Sequence, residues 1–172
     1  MNTHDRRFDV IEALPSLAFL SLLRLGMELE LAGWIGAGLA AAALLYLHWA
    51  GARYNPILLG INVHLLIVTP VIVAIFKLNA TALGEALTSY SYQGVLITIF
   101  VVGVALTLTS RHGFIGLEGA SSSVKRQSLF LLLAALCGIV WSFTYGGASF
   151  VGVAVPIISL FVIQRVVRAR VT

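Results

Sequence analysis

The apolar residues of this chain fall in long unbroken runs, each near the length a helix needs to cross hydrocarbon. Such a helix takes roughly 20 predominantly apolar residues. Six runs of about that size can be marked, over residues 10–29, 31–50, 56–76, 94–109, 128–145 and 148–164. Strands of a membrane barrel would alternate apolar and polar residues, and these runs do not. Inside lipid every backbone polar group must find a partner within the structure, which leaves helices. The expected fold is therefore all-α, a polytopic bundle of six transmembrane helices forming one domain over residues 1–172.

Composition agrees. Of 172 residues, 59% are hydrophobic and only 10% charged, against about 25% charged in a soluble domain. Mean hydropathy is +0.99. So few charges cannot cover a water-exposed surface, and six spans leave no room for an extramembrane domain. The net charge of +4 is spread thinly between the runs and is not gathered into a nucleic-acid-binding patch. The expected surroundings are the lipid bilayer, with a second copy or another membrane protein as partner and no nucleic acid.

The basic residues set an orientation. With the N-terminus inside, Arg6, Arg7, Arg53, Arg111, Lys125, Arg126, Arg165, Arg168 and Arg170 all fall on the inner side, and only Arg24 and Lys77 fall towards the outside. Positive charge is retained on the cytoplasmic face, so both ends are expected in the cytoplasm of an inner, or plasma, membrane. Trp34, Tyr90, Tyr92 and Tyr145 lie near outer helix ends, and Tyr46, Trp49 and Tyr54 near inner ones. Such rings favour the headgroup level. Arg6 and Arg7 precede an apolar stretch as in a signal peptide. No convincing cleavage site follows and Arg24 interrupts the run, so a retained first helix is expected.

Turn chemistry marks several connections. Residues 51–56 read Gly-Ala-Arg-Tyr-Asn-Pro, a helix break followed by a proline suited to the first turn of the next helix. Residues 77–93 read as a polar connection, and residues 110–127, rich in Gly and Ser, as a flexible one. Asn79-Ala80-Thr81 fits the glycosylation acceptor pattern and is taken as coincidence. Pro70 and Pro156 lie inside the third and sixth runs. A three-plus-three inverted repeat would make these counterparts, although the halves share no visible residue pattern. Small residues recur every fourth position at Ala32, Gly36 and Ala40, and at Ala134, Gly138 and Ser142. That spacing gathers them on one helix face, where backbones can approach closely. Cys137, alone in an apolar run, reads as a buried small hydrophobe.

The candidate site residues are the polar groups inside the runs. Asn55, Asn62 and Thr69 are spaced by seven and share a face of the third run. His64 lies near its middle, roughly 200° round from Asn62, which predicts a central helix covered on both sides. An intramembrane histidine suits proton relay or pH sensing, or else a neutral hydrogen bond to a neighbouring helix. Glu12 and Arg24 lie in the first run. Each can reach the interface by snorkelling, and the sharper alternatives pair Arg24 with Glu28 or turn Glu12 inward towards a cavity that a kink at Pro15 would open. No second ligand stands at metal spacing on the third run. No phosphate loop, no Ser-His-Asp set and no paired carboxylates are visible, so neither metal nor cofactor nor catalysis is expected.

The opening Phe8-Asp9, then Leu14-Pro15 and Phe19, resembles the start of the bacterial inner-membrane septation protein A family. The charged break from Arg24 to Glu30, an Ala-rich second helix ending near Trp49, and Lys125-Arg126 ahead of Leu136-Cys137-Gly138 are similar as well. The resemblance covers the first, second and fifth runs. It implies a small multispanning inner-membrane protein of the cell envelope, without supplying catalytic residues. Two readings follow: a non-enzymatic protein acting through helix–helix or protein–protein contacts, or a small transporter or channel with a polar path near His64.

Overall fold

The computed structural model describes residues 3–117, 121–146 and 150–169. Among them no strand occurs, and seven α-helices follow in order. They are α1 (Thr3–Arg24), α2 (Leu29–Trp49), α3 (Pro56–Lys77), α4 (Thr81–Ser89), α5 (Ser91–Thr109), α6 (Ser121–Trp141) and α7 (Phe150–Ala169), with a π-helical turn at Ser142–Gly146 after α6. Five of these, α2, α3, α5, α6 extended through its π turn, and α7, are long and apolar enough to cross a membrane. The chain is thus a multispanning helical membrane protein. The run expected over residues 10–29 falls on α1, which is not among the five. Asp9, Glu12 and Arg24 lie along it, and it stops at Arg24.

The chain divides into two compact units, Met1–Ser89 and Tyr90–Thr172. In the first, α1 lies against α2, α2 against α3, and α1 also against α3, with α4 on α3. Short links make successive helices antiparallel. All three long helices stop by the same device. Met27 N–H donates to Leu22 O and Gly26 N–H to Leu23 O, Ala52 N–H to Leu47 O and Gly51 N–H to His48 O, Ala80 N–H to Ile75 O and Asn79 N–H to Phe76 O. This crossed pair of bonds needs a residue at positive φ just past the helix. Gly26 (82°), Gly51 (61°) and Asn79 (58°) supply it. The Asn79 that heads the acceptor pattern is therefore a helix stop.

The small-residue face of α2 is used within the chain. Ala32, Gly36 and Ala40 are buried. A methyl group on Gly36 would meet Phe19 Cβ of α1 at 3.2 Å, and one on Gly33 would meet Thr69 Oγ1 of α3 at 2.8 Å. α2 is thus the close-packed middle of the unit. The stretch expected as a polar connection instead forms α4, and α5 begins at Ser91 and not at Gly94. Gly84 of α4 lies on the Phe76 ring, where a methyl group would come within 2.8 Å.

In the second unit, α5 lies against α6, α6 against α7, and α5 against α7. Of the second small-residue set, Ser142 is buried while Ala134 and Gly138 are half-buried. Gly138 faces Pro156 of α7, whose Cβ would lie 2.9 Å from an added methyl. Cys137 is exposed, against the expectation of burial. In hydrocarbon a small apolar side chain loses nothing by facing outward, so exposure is no penalty there. Large apolar side chains face outward along every spanning helix, among them Leu45, Ile67, Val101, Leu133 and Val155. In water this surface would be untenable; lipid makes it ordinary.

Candidate functional site

Glu12 is the pivot of the polar groups in the first unit. It stands midway along α1 and is 1% exposed. Antiparallel packing of α1 with α2 and of α2 with α3 brings its carboxylate to the N-terminal end of α3. There Asn55 N–H donates to Glu12 Oε2 at 2.8 Å. Asn55 also caps its own helix, its Oδ1 accepting Ile57 N–H at 3.1 Å, with Pro56 in the first turn. The first N–H groups of a helix lack intrahelical partners and carry partial positive charge. A hydrogen-bond acceptor suits that end.

Two turns into α3, Asn62 is fully buried, and its Nδ2 donates to the backbone oxygen of Glu12 at 2.9 Å. Glu12 thus holds α3 twice, once through its side chain and once through its main chain. Two acceptor atoms in this cluster, Glu12 Oε1 and Asn62 Oδ1, are buried without a hydrogen-bond partner. A buried polar atom left unpaired costs roughly 1–3 kcal/mol.

Thr69, a further two turns along, is buried against Gly33 of α2. The face carrying Asn55, Asn62 and Thr69 therefore meets α1 at one end and α2 at the other. His64 is also buried, at 7% exposure, so α3 is covered on both sides as its polar pattern predicts. Arg24 does not join the cluster. It is exposed at the far end of α1, about 18 Å along the helix from Glu12 at 1.5 Å per residue. Glu28 is exposed too, at the N-cap of α2, and makes no side-chain capping bond. Glu12 is buried against α3 and so does not reach the interface by snorkelling. Among the described residues no group of three or more His, Cys, Asp or Glu could hold a metal ion.

Near this cluster Tyr54 donates its hydroxyl to Leu44 O at 3.3 Å. Partial burial, helped by the Glu12 carboxylate, lifts the Tyr54 phenol above its ordinary range. Tyr54 stands in the link between α2 and α3, a position legible in sequence only as a ring near the interface.

The second unit has a polar knot that sequence reasoning missed. The link after α5 is not a loose tether. Phe114 and Ile115 are fully buried. Ile115 N–H donates to Ser128 Oγ of α6 at 3.1 Å, and Ile115 O accepts from Arg168 Nε of α7 at 2.9 Å and from Gln164 Nε2 at a long 3.5 Å. Gly113, at φ 58°, lets the chain turn inward under Ser128. The available signal was a Phe-Ile pair between two glycines, an apolar anchor inside an otherwise polar link. The chain matches no family model, no curated protein and no solved structure.

Proposed function

We propose that this chain is a non-enzymatic, multispanning inner-membrane protein of the cell envelope that acts through helix–helix or protein–protein contacts. One observation carries the reading. The polar residues inside the first unit are spent on joining its own helices, Asn55 and Asn62 of α3 to Glu12 of α1. The small-residue faces are likewise filled from within. What is left for a partner is the broad outward apolar surface of the spanning helices. The short resemblance to the septation protein A family supports the envelope assignment. The distribution of basic residues supports cytoplasmic termini, which needs an even number of crossings and so takes α1 as a sixth span beside the five helices long and apolar enough to cross.

The test is photo-cross-linking in native membranes, from residues placed on outward positions such as Leu45 and Val101. The expected result is a discrete adduct, either with a second copy or with one membrane protein, in stoichiometric yield. A second reading, a small transporter or channel, is favoured by the two unpartnered buried acceptors Glu12 Oε1 and Asn62 Oδ1. Purified protein that remains monomeric, gives no adduct and carries ion flux in liposomes, with the flux lost in His64→Ala at unchanged stability, would replace the first reading by the second.

A further inference from the structure

The second unit carries its charge at one end and of one sign. Between Tyr90 and Thr172 the only acidic residue is Glu118, against six Lys and Arg. Five of those six are among the described residues: Arg111 in the link after α5, Lys125 and Arg126 near the start of α6, and Arg165 and Arg168 near the end of α7. The knot at Ile115 draws these three places together, since that one residue is bonded to Ser128 of α6 and to Arg168 of α7. Arg111, Lys125, Arg126 and Arg165 are exposed.

Directly beneath the cationic rim the surface turns apolar. Lys125 and Leu129, and Arg126 and Phe130, are spaced by four. Val162 and Arg165 are spaced by three. Residues so spaced share one helix face, a turn of 5.4 Å apart. Leu129, Phe130 and Val162 are each more than half exposed, and Leu108, three residues before Arg111, is 78% exposed. Lys125, Arg126 and Arg165 therefore each stand one turn above an outward apolar side chain. A soluble anion would use only the upper layer of this arrangement. A molecule with a phosphate at one end and acyl chains at the other uses both.

We propose that the end of the second unit formed by Arg111, Lys125, Arg126, Arg165 and Arg168 is a binding surface for an anionic phospholipid, phosphate on the basic rim and acyl chains against Leu108, Leu129, Phe130 and Val162. Basic residues at an anionic membrane surface contribute roughly fivefold in affinity each. A sidedness signal alone would confer no preference for one lipid headgroup.

The test is native mass spectrometry of the full chain released from nanodiscs holding equal phosphatidylglycerol and phosphatidylcholine. Wild-type protein is expected to retain phosphatidylglycerol preferentially, and a large molar excess of inorganic phosphate is expected not to displace it. The triple variant Lys125→Gln/Arg126→Gln/Arg165→Gln should lose roughly a hundredfold in apparent affinity, while the charge-preserving Lys125→Arg/Arg126→Lys should keep the preference. If the triple variant does not fold, Arg165→Gln alone should weaken retention about fivefold. Equal retention of both lipids by the wild type, wild-type retention by the neutralised variants, or release by inorganic phosphate would each overturn the proposal.

Discussion

Substituting Gly113 by alanine tests the knot in the second unit more sharply than any other single change. Gly113 sits at φ 58°, a conformation that costs an L-residue about 1–2 kcal/mol. An added methyl would also collide with Ser128 Oγ, the atom that accepts the buried Ile115 N–H. Moving Ser128 aside leaves that N–H unpaired, at roughly 1–3 kcal/mol. Gly113→Ala should therefore destabilise by about 2–5 kcal/mol, measured by equilibrium unfolding in mixed micelles with helical circular dichroism as readout. Ser128→Ala alone should cost about 1–3 kcal/mol. In the double variant the collision is relieved and the N–H is already unpaired, so the total should stay near that of Gly113→Ala. The two changes are thus expected to couple by about 1–3 kcal/mol. Simple additivity, or a Gly113→Ala cost below about 0.5 kcal/mol, would refute the reasoning, because it would mean that Ser128 does not hold the link in place.

Three further outcomes follow from the first unit. Glu12→Ala removes the acceptor for Asn55 N–H and should destabilise by about 1–3 kcal/mol, whereas Glu12→Gln keeps a carbonyl oxygen there and should cost less in the same unfolding assay. Gly33→Ala overpacks α2 against Thr69 and should cost about 1–3 kcal/mol, with Thr69→Ala in the same chain recovering most of the loss. The raised Tyr54 phenol means that the folded chain keeps a proton the unfolded chain has begun to lose, so folding stability should fall as pH rises past the ordinary tyrosine value of about 10. Tyr54→Phe should fall less over that range, and identical alkaline profiles would sink the assignment.

Much of the fold was written in hydropathy alone. The five helices long and apolar enough to cross a membrane lie over apolar runs, and Gly51 and Pro56 mark a break that the structure keeps. What escaped depends on partners remote in sequence. Glu12 has its acceptor role because Asn55 stands 43 residues further on, and nothing near Glu12 announces it. Residues 110–117 looked loose because they are rich in Gly and polar groups, yet Phe114 and Ile115 find burial between helices that the local pattern does not describe. α4 was missed because a nine-residue helix is marginal by itself and holds through the Phe76–Gly84 contact. For the candidate site, the seven-residue spacing of Asn55, Asn62 and Thr69 did identify the buried face of α3. The role of Glu12 at its end was only one of two open outcomes.

The hold of α1 on α3 also imposes an order on assembly. Glu12 is synthesised before either of its partners, 43 residues ahead of Asn55 and 50 ahead of Asn62. At about 5–20 residues per second, the ribosome takes roughly 2–9 s to reach the first of them. During that delay a helix bearing an acid at its midpoint has no neighbour to answer it. The packing of α1 on α2 can form before α3 exists, but the polar join of α1 to α3 closes only once the N-terminal half of α3 has been made.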